Sequence, residues 1–168
     1  MKEVDLVTSK SVRPTDEIET MIRNYSKMLF KISLVMLCNE YDAQDAVQET
    51  FIRYFNKSPV FDSDEHKKAW LITVVTNICK NMRKYKLKHN HLNIDELYDY
   101  YETKEDATLL ESLMMLPQKF KVVLLLHYVE GYKVNEISKM LSVSPSAIKM
   151  RLQKARKLLK EKLGEEIL

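Results

Sequence analysis

The sequence predicts an all-α chain that forms two small helical domains joined by a linker. Only two glycines occur in its 168 residues, and all four prolines lie where helical periodicity starts or stops. A chain of this length has room for two modules of about 60 residues, a size at which a domain can still fold alone. The third observation is that the sign of the charge changes along the chain and separates two basic segments.

The charge blocks indicate a partner for both modules. Residues 66–94 contain lysines and arginines but no aspartate or glutamate, whereas the charged residues of segment 95–111 are all acidic apart from one lysine. Residues 149–162 are mainly basic again. Two basic surfaces separated by an acidic connector are typical of a protein that contacts a polyanion at two places.

The first two predicted helices follow a leader, residues 1–14, which we expect to be flexible. Thr15 is expected to cap a core helix that runs to about Cys38, and a second helix begins near Asp42. The outer face of the second helix consists of Asp45, Gln48, Glu49 and Arg53. A patch of this kind on a short helix is usually only solvated, so the residues alone leave its role open.

A third helix is predicted from Ser63 or Asp64, either of which can cap it, to about Lys88. Its buried stripe is expected to be Leu71, Val74, Val75, Ile78 and Met82. The outward positions are lysines and small polar residues, namely Lys67, Thr73, Asn77, Lys80, Asn81 and Lys84. Trp70 lies at the boundary and suits a core position as well as base stacking. Lysine ammonium groups, side-chain amides and an aromatic ring on one helix together favour binding of single-stranded nucleic acid.

The C-terminal part is predicted to be a helix-turn-helix. A helix near residues 107–115 is followed by a second helix that Pro117 opens and Gly131 ends. A short helix over residues 134–141, a turn over residues 142–144 and a final basic helix from Pro145 complete the motif.

The final helix divides into two faces. Ile148, Leu152, Ala155 and Leu159 are expected to pack inward. The opposite face and its flanks consist of Ser146, Ala147, Lys149, Met150, Gln153, Lys154 and Lys157. With Ser144 as the cap, the N-terminal end of such a helix can enter the major groove, where Gln153 can pair with adenine. A lysine-rich surface helix is the alternative, which the preceding turn and short helix disfavour.

The composition argues against several other classes of protein. A glycine-poor chain has no phosphate-cradling loop and no nucleophile elbow, so we expect no enzymatic activity and no cofactor. Cys38 and Cys79 lack the spacing of a zinc site or disulfide framework and are expected to be buried free thiols, with no metal bound. The sequence contains no signal-peptide core and no membrane-spanning run, so we expect a soluble, cytoplasmic protein without membrane insertion.

Three segments resemble the extracytoplasmic-function family of bacterial RNA polymerase sigma factors. The run Asp42–Phe51 (DAQDAVQETF) resembles the family stretch D-A-E-D-L-V-Q-E-T-F of sigma region 2. Residues 69–71 with Asn77 resemble its promoter-melting helix. Leu116 to Arg156 resembles region 4, commonly L-P-x-x-x-R-x-V-x-x-L followed by E-G, E-I-A and V-K-S-R-L-x-R-A-R. The resemblance covers about residues 15–164.

The resemblance implies a function for each part of the chain. Residues 15–90 would be region 2, residues 91–106 an acidic linker threading toward the RNA exit path, and residues 107–168 region 4. Core RNA polymerase would be bound by Asp45, Gln48 and Glu49. The melted minus-10 element would be bound by Lys67, Lys68, Trp70, Asn77, Lys80 and Asn81, and the loop at residues 58–63 would receive a flipped base. The duplex minus-35 element would be bound by Ser144, Ser146, Lys149, Met150, Gln153 and Lys154. An anti-sigma factor is implied as a further partner.

The sequence departs from the family at Thr73 and Thr76, often arginine, and at Asn81, usually aspartate. Lys133 and Met150 replace common serines or threonines, so the promoter sequence itself is not predicted.

The main rival interpretation is an autonomous helix-turn-helix regulator that binds DNA as a dimer. A single module with three or four phosphate contacts binds weakly, with a salt slope of about −3. The chain has no dimerisation heptads but does have a second basic module. This favours two modules that each bind DNA weakly and that polymerase holds together on one promoter.

Overall fold

The structure, a computed structural model, describes residues 14–57, 59–86 and 112–163, with backbone alone at Lys86 and Leu163. The expected leader, the acidic linker and the C-terminal residues 164–168 lie outside these ranges. Within the described ranges the chain is helical and contains no strand, in agreement with the predicted class. The main helices are α1 (Thr15–Leu37), α2 (Glu40–Lys57), α3 (Asp64–Lys86), α4 (Gln118–Leu124), α5 (Val134–Leu141) and α6 (Pro145–Leu163).

The N-terminal domain is a bundle in which α1, α2 and α3 each pack against the other two. Its centre includes Leu29, Ile32, Ala43, Ala46, Leu71 and Val75, all at most 1% exposed. The predicted stripe of α3 is confirmed at Leu71, Val75 and Ile78, but Val74 and Met82 are only half-buried. Ile72 and Cys79 are fully buried instead, and Cys79 contacts Ser33 of α1 inside the bundle.

Side-chain caps begin two of these helices. The Asn39 Oδ1 accepts a hydrogen bond from the backbone N of Asp42 at 2.9 Å, so α2 begins before the predicted Asp42. The Ser63 Oγ accepts one from the backbone N of His66 at 3.2 Å, which confirms Ser63 as a cap. The expectation that Thr15 caps α1 is wrong, since Pro14 occupies the N-cap and Thr15 is already helical.

The C-terminal domain is formed by α4, α5 and α6, with α4 and α5 both packed on α6. The Ser138 Oγ donates to the Val143 carbonyl at 2.6 Å, and the Val143 backbone N donates to the Ser138 carbonyl at 3.0 Å. This pair of bonds closes the turn after α5, in which Ser142 adopts a left-handed conformation with φ 55°. The predicted helix-turn-helix is therefore present, with α5 at the predicted residues.

The single helix predicted from Pro117 to Gly131 is wrong in its second half. Alpha-helical geometry ends at Leu124, and a π-helical turn (Leu125–Val129) follows. The Glu130 backbone N donates to the Leu125 carbonyl at 3.1 Å, five residues back. A π turn takes one more residue than an α turn, which shifts the side chains around the helix, and Val129, its last residue, is 53% exposed.

The two domains pack against each other through α4 on α1 and α5 on α3. In the part of the chain that the structure describes, no helix is long and apolar enough to cross a membrane. The same residues hold no group of three or more histidines, cysteines or acids placed to bind a metal ion.

Candidate nucleic-acid interface

Helix α6 presents the exposed face that its sequence predicts. Ile148, Leu152, Ala155 and Leu159 are at most 5% exposed. The six predicted duplex-binding residues are all exposed: Ser144, Ser146, Lys149, Met150, Gln153 and Lys154. The structure thus brings these six onto one accessible surface, which extends from Ser144 along about three turns of α6.

The N-terminal end of α6 is capped and carries no acidic residue in its first turn. The Ser144 Oγ accepts a hydrogen bond from the Ala147 backbone N at 3.2 Å, as predicted, and the Ser144 carbonyl accepts one from Ile148. The remaining amides of the first turn and the helix dipole favour a negatively charged partner at this end. Helix α5 supports α6 from below through buried Ile137, Met140 and Leu141.

Helix α3 presents a less accessible surface than the sequence suggests. Asn77 and Asn81 are exposed, but Lys67, Lys68, Trp70 and Lys80 are all partly buried. Lys67 lies 3.4 Å from the Asp64 carboxylate, one turn earlier in the same helix. All six predicted minus-10 residues lie on this helix, yet the structure divides them between open solvent and contacts within the protein.

Trp70 belongs to an aromatic cluster rather than standing free. Its ring lies edge-on to Phe61, with 5.8 Å between centroids, and edge-on to Tyr54, at 6.1 Å. Tyr54 and Phe61 are stacked at 6.3 Å. The cluster ties the loop before α3 to α2 while leaving part of Trp70 accessible. The sequence indicated neither Tyr54 nor Phe61 as a partner of Trp70, although the aromatic residues before and within the loop were the available signal.

Lys68 and Lys80 reach across to the C-terminal domain. The Lys68 Nζ lies 3.5 Å from the Glu130 carboxylate and 5.4 Å from the centre of the Tyr132 ring. The Lys80 Nζ donates to the Leu141 carbonyl, at the end of α5, at 3.3 Å. Burial, and then the positive charges of Arg151 and Lys84, lower the pKa of Lys80. Burial also raises the pKa of Tyr132 to about 12.

An open cleft of ≈ 550 Å³ joins part of the α3 surface to the start of α4. It is lined by three basic and three amide side chains: Asn77, Lys80, Asn81, Arg83, Lys84 and Gln118. The Gln118 Nε2 is buried and has no hydrogen-bond partner among the described residues. Arg83 and Gln118 extend the candidate phosphate-binding surface beyond the residues that the sequence indicates.

The outer face of α2 is separate from these basic surfaces. Asp45 and Gln48 are exposed, whereas Glu49 is half-buried and pairs with Arg53 at 2.7 Å. Gln48 also borders an open groove of ≈ 510 Å³ between α1 and α2, with Phe30 and Val47 in its wall. A polar rim beside an apolar groove is a surface that a helix of another protein can bind.

Two family matches cover most of the chain. Sigma-70 region 2 matches residues 21–88, and Sigma-70, region 4 matches residues 106–159. Among curated proteins, the ECF RNA polymerase sigma factor SigW of Bacillus subtilis is 25% identical, over 89% of this chain and 90% of its own length. The ECF RNA polymerase sigma factor SigE of Mycolicibacterium smegmatis is 24% identical, over 88% of this chain and 62% of its own length.

Two solved structures share the fold at low sequence identity. The sigma factor RpoE from Bartonella quintana, in complex with the anti-sigma factor NepR, is 19% identical with a TM-score of 0.71. That match covers 90% of this chain and 99% of RpoE. CnrH, in complex with the cytosolic domain of CnrY, is 21% identical with a TM-score of 0.67 and 89% coverage of both chains.

Proposed function

The chain belongs to the sigma-70 family and is a sigma factor for transcription initiation, and on this premise we propose how its surfaces act. Residues 15–90 form region 2, residues 91–106 the linker and residues 107–168 region 4. The observation that carries the proposal is the pair of basic helical surfaces, α3 and α6, one in each domain. We assign no reaction to the chain, because RNA synthesis belongs to the polymerase.

Helix α6 reads the minus-35 element as duplex DNA. Its capped N-terminal end meets a phosphate, while Gln153 and Ser146 reach base edges and Lys149 and Lys154 hold the backbone. The exposure of these side chains supports this role. Each well-made contact to a base edge contributes about 1–3 kcal/mol of discrimination.

Helix α3 binds the melted minus-10 element. Asn77 and Asn81 are exposed for contact with bases, and the accessible part of Trp70 offers a stacking surface beside the loop. Before they can bind DNA, Lys68 has to break its ion pair with Glu130, and Lys80 has to break its hydrogen bond to the Leu141 carbonyl. The minus-10 surface is therefore completed only when the two domains separate.

The outer face of α2 binds core polymerase through Asp45, Gln48 and Glu49. This face lies apart from both DNA-binding surfaces, so one molecule can hold the polymerase and both promoter elements. Its site of action is the cytoplasm, where polymerase and chromosome are found. Because RpoE is seen with the anti-sigma factor NepR, an anti-sigma factor is a further partner.

The polymerase contact is tested by comparing Asp45→Ala with Glu19→Ala. Both residues are exposed acids of the same domain, on α2 and α1 respectively, so the two variants lose the same charge. We expect Asp45→Ala to lower affinity for core polymerase several-fold in a fluorescence-anisotropy titration, with Glu19→Ala close to wild type. Equal affinities for the two variants would contradict the assignment of this face.

A further inference from the structure

A lysine and a cysteine meet inside the interface between the two domains. Lys121, on α4, is 2% exposed, and Cys38, at the end of α1, is 7% exposed. The Lys121 Nζ lies 3.0 Å from the Cys38 Sγ. Among the ion pairs and hydrogen bonds of the described residues, this sulfur is the polar partner of the ammonium group.

This partner is unusual for a buried lysine. Burying an ammonium group is unfavourable unless it is paired, and a carboxylate is the usual partner. Here the amine is buried against a sulfur atom instead, close enough for the two atoms to react with little movement. The family pattern that the chain resembles has arginine at position 121, so the amine is a feature of this chain.

The backbone holds Cys38 firmly in this position. The residue ends α1 in a left-handed conformation with φ 55°, and its backbone N donates to the Leu34 carbonyl at 2.8 Å. The second thiol, Cys79, is fully buried within the N-terminal domain, and burial raises its pKa to about 12. A thiol in that setting is unreactive, so Cys79 serves as an internal control.

We propose that Cys38 and Lys121 are an oxidative modification site at which hydrogen peroxide joins the two domains by a covalent sulfur–nitrogen bond. The Cys38 sulfur attacks the peroxide, the O–O bond breaks, and a sulfenic acid and one water form. The Lys121 ammonium group gives up one proton to solvent, and the resulting amine attacks that sulfur, forming an S–N bond as the S–O bond breaks. The departing oxygen takes a proton from nitrogen and leaves as a second water. The sulfur is oxidised and the peroxide is reduced.

The bond would hold α1 against α4 and keep the domains together. In that arrangement Lys68 and Lys80 stay engaged with the C-terminal domain. If the proposed function is correct, the cross-linked protein cannot complete its minus-10 surface, and peroxide lowers promoter-dependent transcription. The chemical step itself does not depend on the proposed function, so the two are tested separately.

The test is mass spectrometry of the full chain after treatment with hydrogen peroxide. We expect a product that is lighter than the reduced protein by two hydrogen atoms. Its proteolytic digest should contain one peptide pair joining the segments of Cys38 and Lys121, separable by dithiothreitol. Cys79→Ser should still form the cross-link, whereas Cys38→Ser and Lys121→Arg should not. Lys121→Met, which retains an unbranched side chain of similar length, repeats the test, and circular dichroism checks that each variant is folded.

The proposal is overturned if Lys121 remains free while Cys38 gains oxygen, if Cys79 is the thiol that reacts, or if the mass does not change. Transcription is measured on the same samples. If cross-linked protein transcribes as well as reduced protein, the cross-link itself still stands. That result would contradict the claim that the cross-link blocks the minus-10 surface, and with it the proposed minus-10 role of Lys68 and Lys80.

Discussion

At the scale of single residues, Gln153 and Lys154 are adjacent, exposed residues of α6 with different proposed tasks. Gln153→Ala should remove about 1–3 kcal/mol of discrimination at one base pair of the minus-35 element, because an amide can pair with a base edge. Lys154→Ala should weaken all promoters alike and reduce the slope of log affinity against log salt by about 1. Holoenzyme binding to a set of single-base promoter variants measures both effects. A uniform loss for Gln153→Ala would contradict its role as a base reader.

Tyr25 provides a second test at this scale, one that concerns stability. Its hydroxyl donates to the Asp64 Oδ1 at 2.6 Å, and this bond holds the pKa of Asp64 below its ordinary 3.8. The Asp64 carboxylate therefore stabilises the fold above that value, and the contribution is lost as the pH falls through the lower, folded-state pKa. Tyr25→Phe should lower the free energy of unfolding at pH 7 by at most about 1 kcal/mol, because the carboxylate is mostly solvated.

Urea unfolding of wild type and Tyr25→Phe, at neutral pH and at about pH 3, measures this difference. The gap between the two proteins should narrow in acid as Asp64 becomes protonated. A gap that stays constant with pH would mean that the hydroxyl acts through packing and not through the carboxylate.

At the scale of elements, Gly131 follows the π-helical turn with φ +75°. A Cβ added there would meet no atom within 4 Å, so Gly131→Ala has no steric clash with its neighbours. The cost should be that of the left-handed backbone alone, about 1–2 kcal/mol of unfolding free energy, measured by urea unfolding. Gly131→Asn should cost less, since asparagine tolerates this conformation. An unchanged stability in Gly131→Ala would show that this connection rearranges freely.

Elements defined by local signals were predictable from the sequence. The α5–turn–α6 motif depends on Ser144, Pro145 and an apolar stripe, all of which act within a few residues, and it lies where predicted. The π turn was not predictable, because residues 118–129 read as one continuous apolar helix. The end of α-helical geometry at Leu124 was not marked by proline or glycine, the signals on which sequence reasoning relies.

At the scale of the whole molecule, the contacts between the domains control access to α3. Glu130→Gln removes the ion pair with Lys68, whereas Glu161→Gln removes an equal charge from the exposed surface of α6. We expect Glu130→Gln to raise affinity for a single-stranded minus-10 oligonucleotide by up to about fivefold, since such a pair contributes at most about 1 kcal/mol. Fluorescence anisotropy at fixed salt measures it. Equal changes in both variants would mean that net charge alone, and not release of Lys68, is responsible.

The same contacts mark the limit of sequence reasoning. Lys80 and Leu141 are 61 residues apart, and Cys38 and Lys121 are 83 apart, so no spacing rule connects them. The sequence therefore predicted which residues of α3 are basic or polar but not that Lys68 and Lys80 are engaged by the second domain. The exposed face of α6 was predicted apart from Ala147, which is half-buried, because it depends on helical periodicity.

The central claim, that this chain directs polymerase to promoters, is tested most directly by run-off transcription. Bacterial core polymerase and a promoter library are incubated with and without the purified protein, and transcript start sites are sequenced. We expect specific initiation only when the protein is present, at promoters that share a minus-35 and a minus-10 element. Active core that starts no specific transcript with the protein, while the protein alone binds duplex DNA tightly, would contradict it and identify an autonomous regulator instead.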